Sequence, residues 1–194
     1  MTSDSKIVKN LRQATGAGIL ECKKALEEAK GDLDKAVEIL RKRGQKILDK
    51  KQDRKVKEGL IESYVHSNGK IGVLVEVVCE TDFVARNREF KELAHDLAMQ
   101  VAAVCPYWVK PEDVPQEVLE KEREIAKEGL PKDKPAQVIE KIIEGKIKKF
   151  YAQTCLLEQT FIKDEKLTIR ELVKEKVAKL GENIQVRRFV RFQI

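Results

Sequence analysis

Four cysteines and two histidines are the side chains with which this chain could hold a soft metal or mount a nucleophile. They are Cys22, Cys79, Cys105, Cys155, His66 and His95. A zinc site needs ligands clustered at short spacing, as in C-x-x-C. Here all six are scattered, and buried reduced thiols are the simpler account. Carboxylates close enough to pair for acid–base work are plentiful. On a chain with 37% charged residues they describe solvated helix faces. There is no G-x-x-x-x-G-K-[ST] loop to cradle a triphosphate, no H-E-x-x-H and no G-x-S-x-G. The glycine-rich "TGAG" (Thr15 to Gly18) follows a helical pattern, not a strand, and has no lysine. An enzyme, a resident metal, a cofactor and direct nucleotide binding are therefore not expected. The chain is expected to act by binding.

The stretch that asks to be bound is "CETDFVARN" (Cys79 to Asn87), which closes the longest apolar run. Phe83 follows an acid where a buried strand should be turning polar. It is either stapled back into the core or turned outward for something else. Asp82 is equally ambiguous, as an N-cap of a following helix or as a contact in its own right.

The elements that must position this stretch can be read from periodicity. Ile7, Leu11 and Ala14 form one helical stripe. Ile19, Cys22, Leu26 and Ala29 form a second, and Leu33, Ala36, Val37 and Leu40 a third. Gly31 ends the second helix, Asp32 caps the third, and Gly44 closes it. "QKILDKKQDRKVK" then turns basic and reads as a linker, with a helical turn at Ile47 and Leu48. "LIESYVHS" and "KIGVLVEVVCE" flank Asn68-Gly69, which suits a tight hairpin with φ > 0 in the turn. "IQVRRFVRFQI" is a third strand. There, alternation predicts phenylalanines inward and arginines outward, although arginines interleaved with aromatics can also serve single-stranded nucleic acid. Between the strands lie helices. One buries Phe90, Leu93, Ala94, Leu97, Val101 and Val104. A charged one is anchored by Val118, Leu119 and Ile125. One starts near Pro135, and one has Thr168 and Glu171 as a capping box with Gly181 as its stop. The fold class is α+β. It comprises a three-helix domain over residues 1–44, a basic linker over 45–57, and a core domain over 58–194 with a three-stranded antiparallel sheet packed with helices.

Net charge is +6, which permits nucleic acid or an acidic protein as partner. The basic run from Arg41 to Lys57 lacks the aromatic residues that stacking on single strands uses, so nucleic acid is not the expected partner. No apolar run approaches the roughly 20 residues of a membrane helix. The N-terminal residues have no apolar signal region. A cytoplasmic location is expected.

Three stretches carry a resemblance. They are "LRQATGAGILECKKAL" (Leu11 to Leu26), "CETDFVARN" and "GENIQVRRFVRF" (Gly181 to Phe192), in that order along the chain. Together they resemble the elongation factor Ts family, the nucleotide-exchange factors of elongation factor Tu. Two positions depart from the family pattern: Val78, where a polar residue is common, and Thr160, where a proline is expected. The resemblance implies the small helical domain and the sheet-bearing core. It implies GDP-bound elongation factor Tu as partner. It also implies that Thr81, Asp82, Phe83 and Val84 enter that partner near its bound Mg²⁺, with Phe83 wedged between partner side chains. Arg12, Gly16 and Gly18 would form a second contact from the helical domain. Some longer family members carry two core subdomains and this chain has room for one, so a homodimer is expected.

Overall fold

Apolar side chains that recur with helical period come first along the chain. In the computed structural model, residues 3–15, 17–40, 54–128, 130 and 135–194 are described. The expectations for Gly16, Gly44 and the turn at Ile47 and Leu48 lie outside them. Helix α1 runs Ser3–Thr15, α2 Ile19–Glu28, and α3 is helical over residues 33–40. They bury Leu11, Cys22, Ala25, Leu26, Ala29, Ala36 and Leu40 together. The predicted stripes are right at their centres and each is wrong at one end. Ala14, Ile19 and Leu33 are exposed, because three short helices converge on one small core and leave their outer turns in water. Asp32 caps α3 through Oδ1, which accepts the Lys35 N–H at 3.1 Å. Gly31, at φ +86°, makes the turn before it.

The sheet comprises β1 (Glu58–Val65), β2 (Ile71–Cys79) and β5 (Ile184–Gln193), in the order β1-β2-β5. It is antiparallel and packed with helices, as expected. The central strand, β2, buries Val73, Val75 and Val77, and Val78 and Cys79 at its end are also buried. Between the strands lie α4 (Asp82–Arg86), α5 (Arg88–Val104), α6 (Gln116–Lys127), α7 (Ala136–Thr154) and α8 (Ile169–Leu180). A two-stranded sheet, β3 (Thr160–Phe161) with β4 (Asp164–Thr168), was not anticipated. By contacts the chain divides into two compact units. One is Met1–Leu60, Val77–Leu93 and Val173–Gln185, and the other is Ile61–Glu76, Ala94–Leu172 and Val186–Ile194.

Several local expectations hold. Thr168 and Glu171 form the capping box. The Thr168 N–H donates to Glu171 Oε2 at 2.8 Å and the Glu171 N–H to Thr168 Oγ1 at 3.2 Å. Gly181, at φ +80°, ends α8. On α5, Phe90, Leu93, Ala94, Leu97 and Val101 are fully buried, but Val104 in the last turn is exposed. On α6 the buried anchor is Ala126 and not Ile125, which is exposed; Ala126 packs with Ile143 and Ile147 of α7, with Leu119 beside them.

Two further expectations need correction. The β1–β2 hairpin does not turn on two positive-φ residues. Only Gly69 is left-handed, at φ +68°, and the loop is closed by Gly69 N–H to His66 O at 2.8 Å and His66 N–H to Ile71 O at 2.9 Å. Asn68 instead uses its side chain to accept the Lys70 N–H. On β5, Arg191 is half-buried and donates Nε and Nη2 to Ala102 O at 3.3 and 3.2 Å, while Phe192 is 66% exposed. The reason is arithmetic: Phe189 and Phe192 are three apart, and a strand's period of two places them on opposite faces.

Packing demands a glycine at Gly59. Its φ is +152°, and a Cβ there would run into the backbone of Val77 and Val78. Gly72, in the same sheet, has open space beside it. Gly59→Ala is expected to cost about 2–4 kcal/mol of stability through strain and overpacking. Gly72→Ala should be neutral or mildly stabilising. Urea unfolding of the two variants checks this contrast.

Candidate functional site

The segment after β2 is built from its own backbone outward. The strand ends at Cys79, whose carbonyl accepts the Lys57 N–H at 3.1 Å. Thr81 then adopts extended geometry, φ −129° and ψ 156°, and is the N-cap of α4, accepting the Val84 N–H on Oγ1. That is the cap position anticipated for Asp82, moved back by one residue. Asp82 opens the helix and pairs with Arg86 one turn on at 3.0 Å, an exposed contact of small energetic consequence. α4 has five residues, and the Asn87 N–H closes it on Val84 O at 3.0 Å.

Within this corner the side chains separate cleanly. Ala85 is buried and Val84 half-buried, while Phe83 is 82% exposed. Of the two readings of Phe83, the outward one holds.

A distant part of the chain holds the corner. Glu182 follows Gly181. Its Oε2 accepts the backbone N–H groups of Glu80 at 3.1 Å and Thr81 at 3.0 Å, and its Oε1 accepts the Thr81 hydroxyl at 2.6 Å. In return the Asn183 N–H donates to Glu80 Oε1 at 2.7 Å. Asn183 also donates its side-chain amide to Arg54 O at 2.9 Å, and the Arg54 guanidinium lies 3.5 Å from Glu80. Just beyond the corner, Glu89 sits between Lys179 at 2.6 Å and Lys176 at 3.2 Å; Lys179 first, then Lys176, hold its carboxyl below the usual value.

The nearby thiol is not a nucleophile. Cys79 is fully buried, its Sγ points at Thr81 O 3.2 Å away, and burial followed by the charge of Glu182 pushes its pKa to about 11. Among the described residues, no group of three or more His, Cys, Asp or Glu is placed to hold a metal, and no helix is long and apolar enough to cross a membrane.

The second set of candidate residues runs from Arg12, in the last turn of α1, to Gly18, before α2. Arg12 and Gly18 are exposed, and Gly16 lies outside the described residues. Thr15 turns its hydroxyl back onto Leu11 O at 2.6 Å, and Gly18 caps α2 with ordinary extended geometry. A Cβ at Gly18 would meet nothing within 4 Å, so neither its backbone nor its packing requires glycine there. Next to it Ile19 and Leu20 are 59% and 63% exposed. Sequence reasoning placed Ile19 in the core and passed over Leu20, because a helical stripe cannot distinguish an apolar residue facing the core from one at the unburied first turn.

Comparison with known proteins gives these features a common origin. The family model "Elongation factor TS" matches residues 5–194. Elongation factor Ts of Thermosipho melanesiensis is 60% identical over 192 residues, covering 98% of this chain and 97% of that one. Elongation factor Ts of Thermotoga maritima is 59% identical over 188 residues, covering 97% and 94%. That of Carboxydothermus hydrogenoformans is 56% identical over 191 residues, covering 98% and 88%. The chain belongs to the elongation factor Ts family. Of its candidate residues, the structure brings Thr81, Asp82, Phe83 and Val84 together on one turn. The partner of that turn, Glu182, lies about a hundred residues on and had no local signal, although it stands inside the family stretch "GENIQVRRFVRF".

The four thiols make a check on this arrangement. Cys105 is exposed, while Cys22, Cys79 and Cys155 are buried. Burial also raises the Cys155 thiol above its ordinary value. At pH 8 the native protein is expected to release colour from a disulfide thiol reagent with one fast equivalent, at Cys105. The other three should react only on unfolding. Loss of the fast phase in Cys105→Ser identifies the site.

Proposed function

We propose that this chain binds GDP-bound elongation factor Tu and drives GDP off by pressing Thr81, Asp82, Phe83 and Val84 against the partner's magnesium site. The observation that carries the reading is the 82% exposure of Phe83 on a turn whose backbone is fixed from outside. Magnesium demands near-ideal octahedral geometry, so a small displacement of its surroundings weakens it sharply. Without the cation the diphosphate sits in a pocket less well neutralised, and GDP leaves. Exchange is then a reciprocal coupling, in which factor and nucleotide each weaken the other's binding. The factor shifts that equilibrium only by binding the distorted partner better than the relaxed one.

The ring does not do this alone. Burying one phenylalanine contributes roughly 1.5–3 kcal/mol, whereas a thousandfold loss of nucleotide affinity needs about 4 kcal/mol. Arg12, Gly16 and Gly18 supply a second grip from the helical domain. Gly18 fits that role because nothing within its own chain asks for glycine, while close approach of a partner would. The three-helix domain of residues 1–44 and the core domain of residues 58–194 then hold the partner at separate points, joined by the basic linker of residues 45–57. The chain binds no nucleotide itself, catalyses no bond change, and works in the cytoplasm where translation runs.

The decisive experiment is release of fluorescent GDP from elongation factor Tu at saturating factor. Phe83→Ala should slow release by about 10- to 100-fold, the worth of one buried ring, while partner affinity falls far less. Unimpaired release at saturation would falsify the wedge.

The functional unit is a homodimer. Ile61, Val65, Leu74, Val190 and Phe192 are all exposed on the sheet strands. An open apolar sheet face of this kind is self-complementary when two copies meet across a two-fold axis. Glu76, at 2.7 Å from Arg188 and 2.6 Å from Arg187, offsets part of their charge. Arg188 first, then Arg187, hold the Glu76 carboxyl below its ordinary value. Sedimentation equilibrium at micromolar concentration should give a dimer for the native chain and a monomer for Phe192→Glu. A native monomer ends the dimer reading and leaves the exchange reading intact.

A further inference from the structure

We propose that Glu182 is the positioning residue of the exchange reaction, acting through Thr81 to hold the Phe83 corner in the one geometry the partner meets. This rests on the reading of Phe83 above, and it assigns a role to a residue that touches the corner only through its backbone and one hydroxyl.

Three donors converge on the Glu182 carboxylate: the N–H of Glu80, the N–H of Thr81 and the Thr81 O–H. Only an ionised carboxylate can accept three hydrogen bonds and offer no proton of its own. A glutamine would present one oxygen and turn an NH₂ group toward one or more of those donors. The hydroxyl bond also sets the helix. By donating to Glu182 Oε1, Thr81 leaves its oxygen lone pairs to the Val84 N–H, 3.5 Å away, which is the cap of α4. The same oxygen therefore connects Glu182 to the turn that carries Phe83.

The attachment runs both ways. Residues 80 and 81 donate backbone N–H groups to Glu182, and residue 183 donates its own to Glu80. Arg54 closes the far side, with its carbonyl on the Asn183 amide and its guanidinium near Glu80. Glu182 stands where it does because Gly181, at φ +80°, turns the chain out of α8. Its side chain is half-buried, so water competes incompletely for the three donors.

A positioning role differs from a merely structural one in what it changes. If Glu182 only stabilised the fold, its loss would lower the melting temperature and add to any other defect. If it aims Phe83, its loss should lower the maximum release rate and do nothing further once Phe83 is gone.

The experiment compares the full-length native chain, Phe83→Ala, Glu182→Ala, Glu182→Gln and the Phe83→Ala/Glu182→Ala double variant. Each is mixed with elongation factor Tu carrying fluorescent GDP, and the maximum release rate and half-saturating factor concentration are read. Glu182→Ala is expected to lose about tenfold or more in maximum rate, the scale of one hydrogen bond to a charged group. The half-saturating concentration should move less than about threefold. Glu182→Gln should fall between. The double variant should release GDP no more slowly than Phe83→Ala alone. In the free factor, amide hydrogen exchange at residues 80 and 81 should quicken in Glu182→Ala, while α5 is unchanged. Should Glu182→Ala melt below the assay temperature, Glu182→Gln, which keeps the length of the side chain, carries the same comparison. A native maximum rate for Glu182→Ala beside a slow Phe83→Ala overturns the proposal and spares the Phe83 reading. Additive losses in the double variant overturn it too. A fast Phe83→Ala removes the Phe83 reading, and this proposal with it.

Discussion

A helix of one turn cannot hold itself together, and that constraint governs the candidate site. Nucleating a helix fixes several dihedral angles for one hydrogen bond, so isolated segments far longer than α4 are marginal in water. α4 nevertheless presents a large aromatic ring to solvent, and a ring 82% exposed buries little surface to hold it in place. The order must come from the residues before it. Thr81 caps the helix, Ala85 anchors one side of it in the core, and the Glu182 carboxylate fixes the backbone of Glu80 and Thr81. Hydrogen bonds to a charged acceptor contribute about 1.5–3 kcal/mol each, the scale needed to make so short an element persist.

The same dependence on polar fastening appears in the second unit. β3 and β4 are too short to persist on cross-strand pairing alone. The buried amide of Gln100 holds them, donating from Nε2 to Thr160 O at 3.1 Å and to Gln159 Oε1 at 3.2 Å, while its Oε1 accepts the Ile162 N–H at 3.0 Å. Gln159 in turn donates to Gln153 O. No buried side-chain N or O among the described residues lacks a partner. Thr160 stands where the family pattern suggests proline, and its carbonyl is the group that Gln100 uses. That bond survives either residue, so the departure costs this hairpin little.

What could be read from the residues alone was whatever acts over one or two turns of chain. The Thr168–Glu171 box, the Asp32 cap and the Gly181 stop each involve groups within four positions, and each stands as expected. The three-stranded sheet was legible because β2 is a long apolar run and its neighbours alternate. The misses share a different cause. Ile19 and Leu33 carry the right period but occupy helix ends, where burial depends on a neighbour the period does not specify. Phe192 was assigned inward on residue type, although its odd spacing from Phe189 already forbade that. β3 and β4 depend on Gln100, some sixty positions earlier, and the corner depends on Glu182, about a hundred later. Neither partner has a local pattern. The family resemblance pointed to the corner and implied a role for it, but it did not say which residue fastens it.

Stiffness is what the proposed mechanism requires of these fastenings. When an aromatic ring meets a partner's packed side chains, the softer of the two surfaces yields. A mobile Phe83 would swing aside and leave the magnesium ligands where they were, and the contact would add affinity without lowering the partner's hold on GDP. Only a ring whose alternatives are costly transfers binding free energy into displacement, because a ligand biases an equilibrium solely by its difference in affinity for the two states. A conformationally restricted prong on the factor is thus the counterpart of the strict octahedral demand of Mg²⁺ on the partner. On that mechanism the groups that fasten α4 matter to exchange as much as the exposed ring does, since they decide which of the two proteins moves.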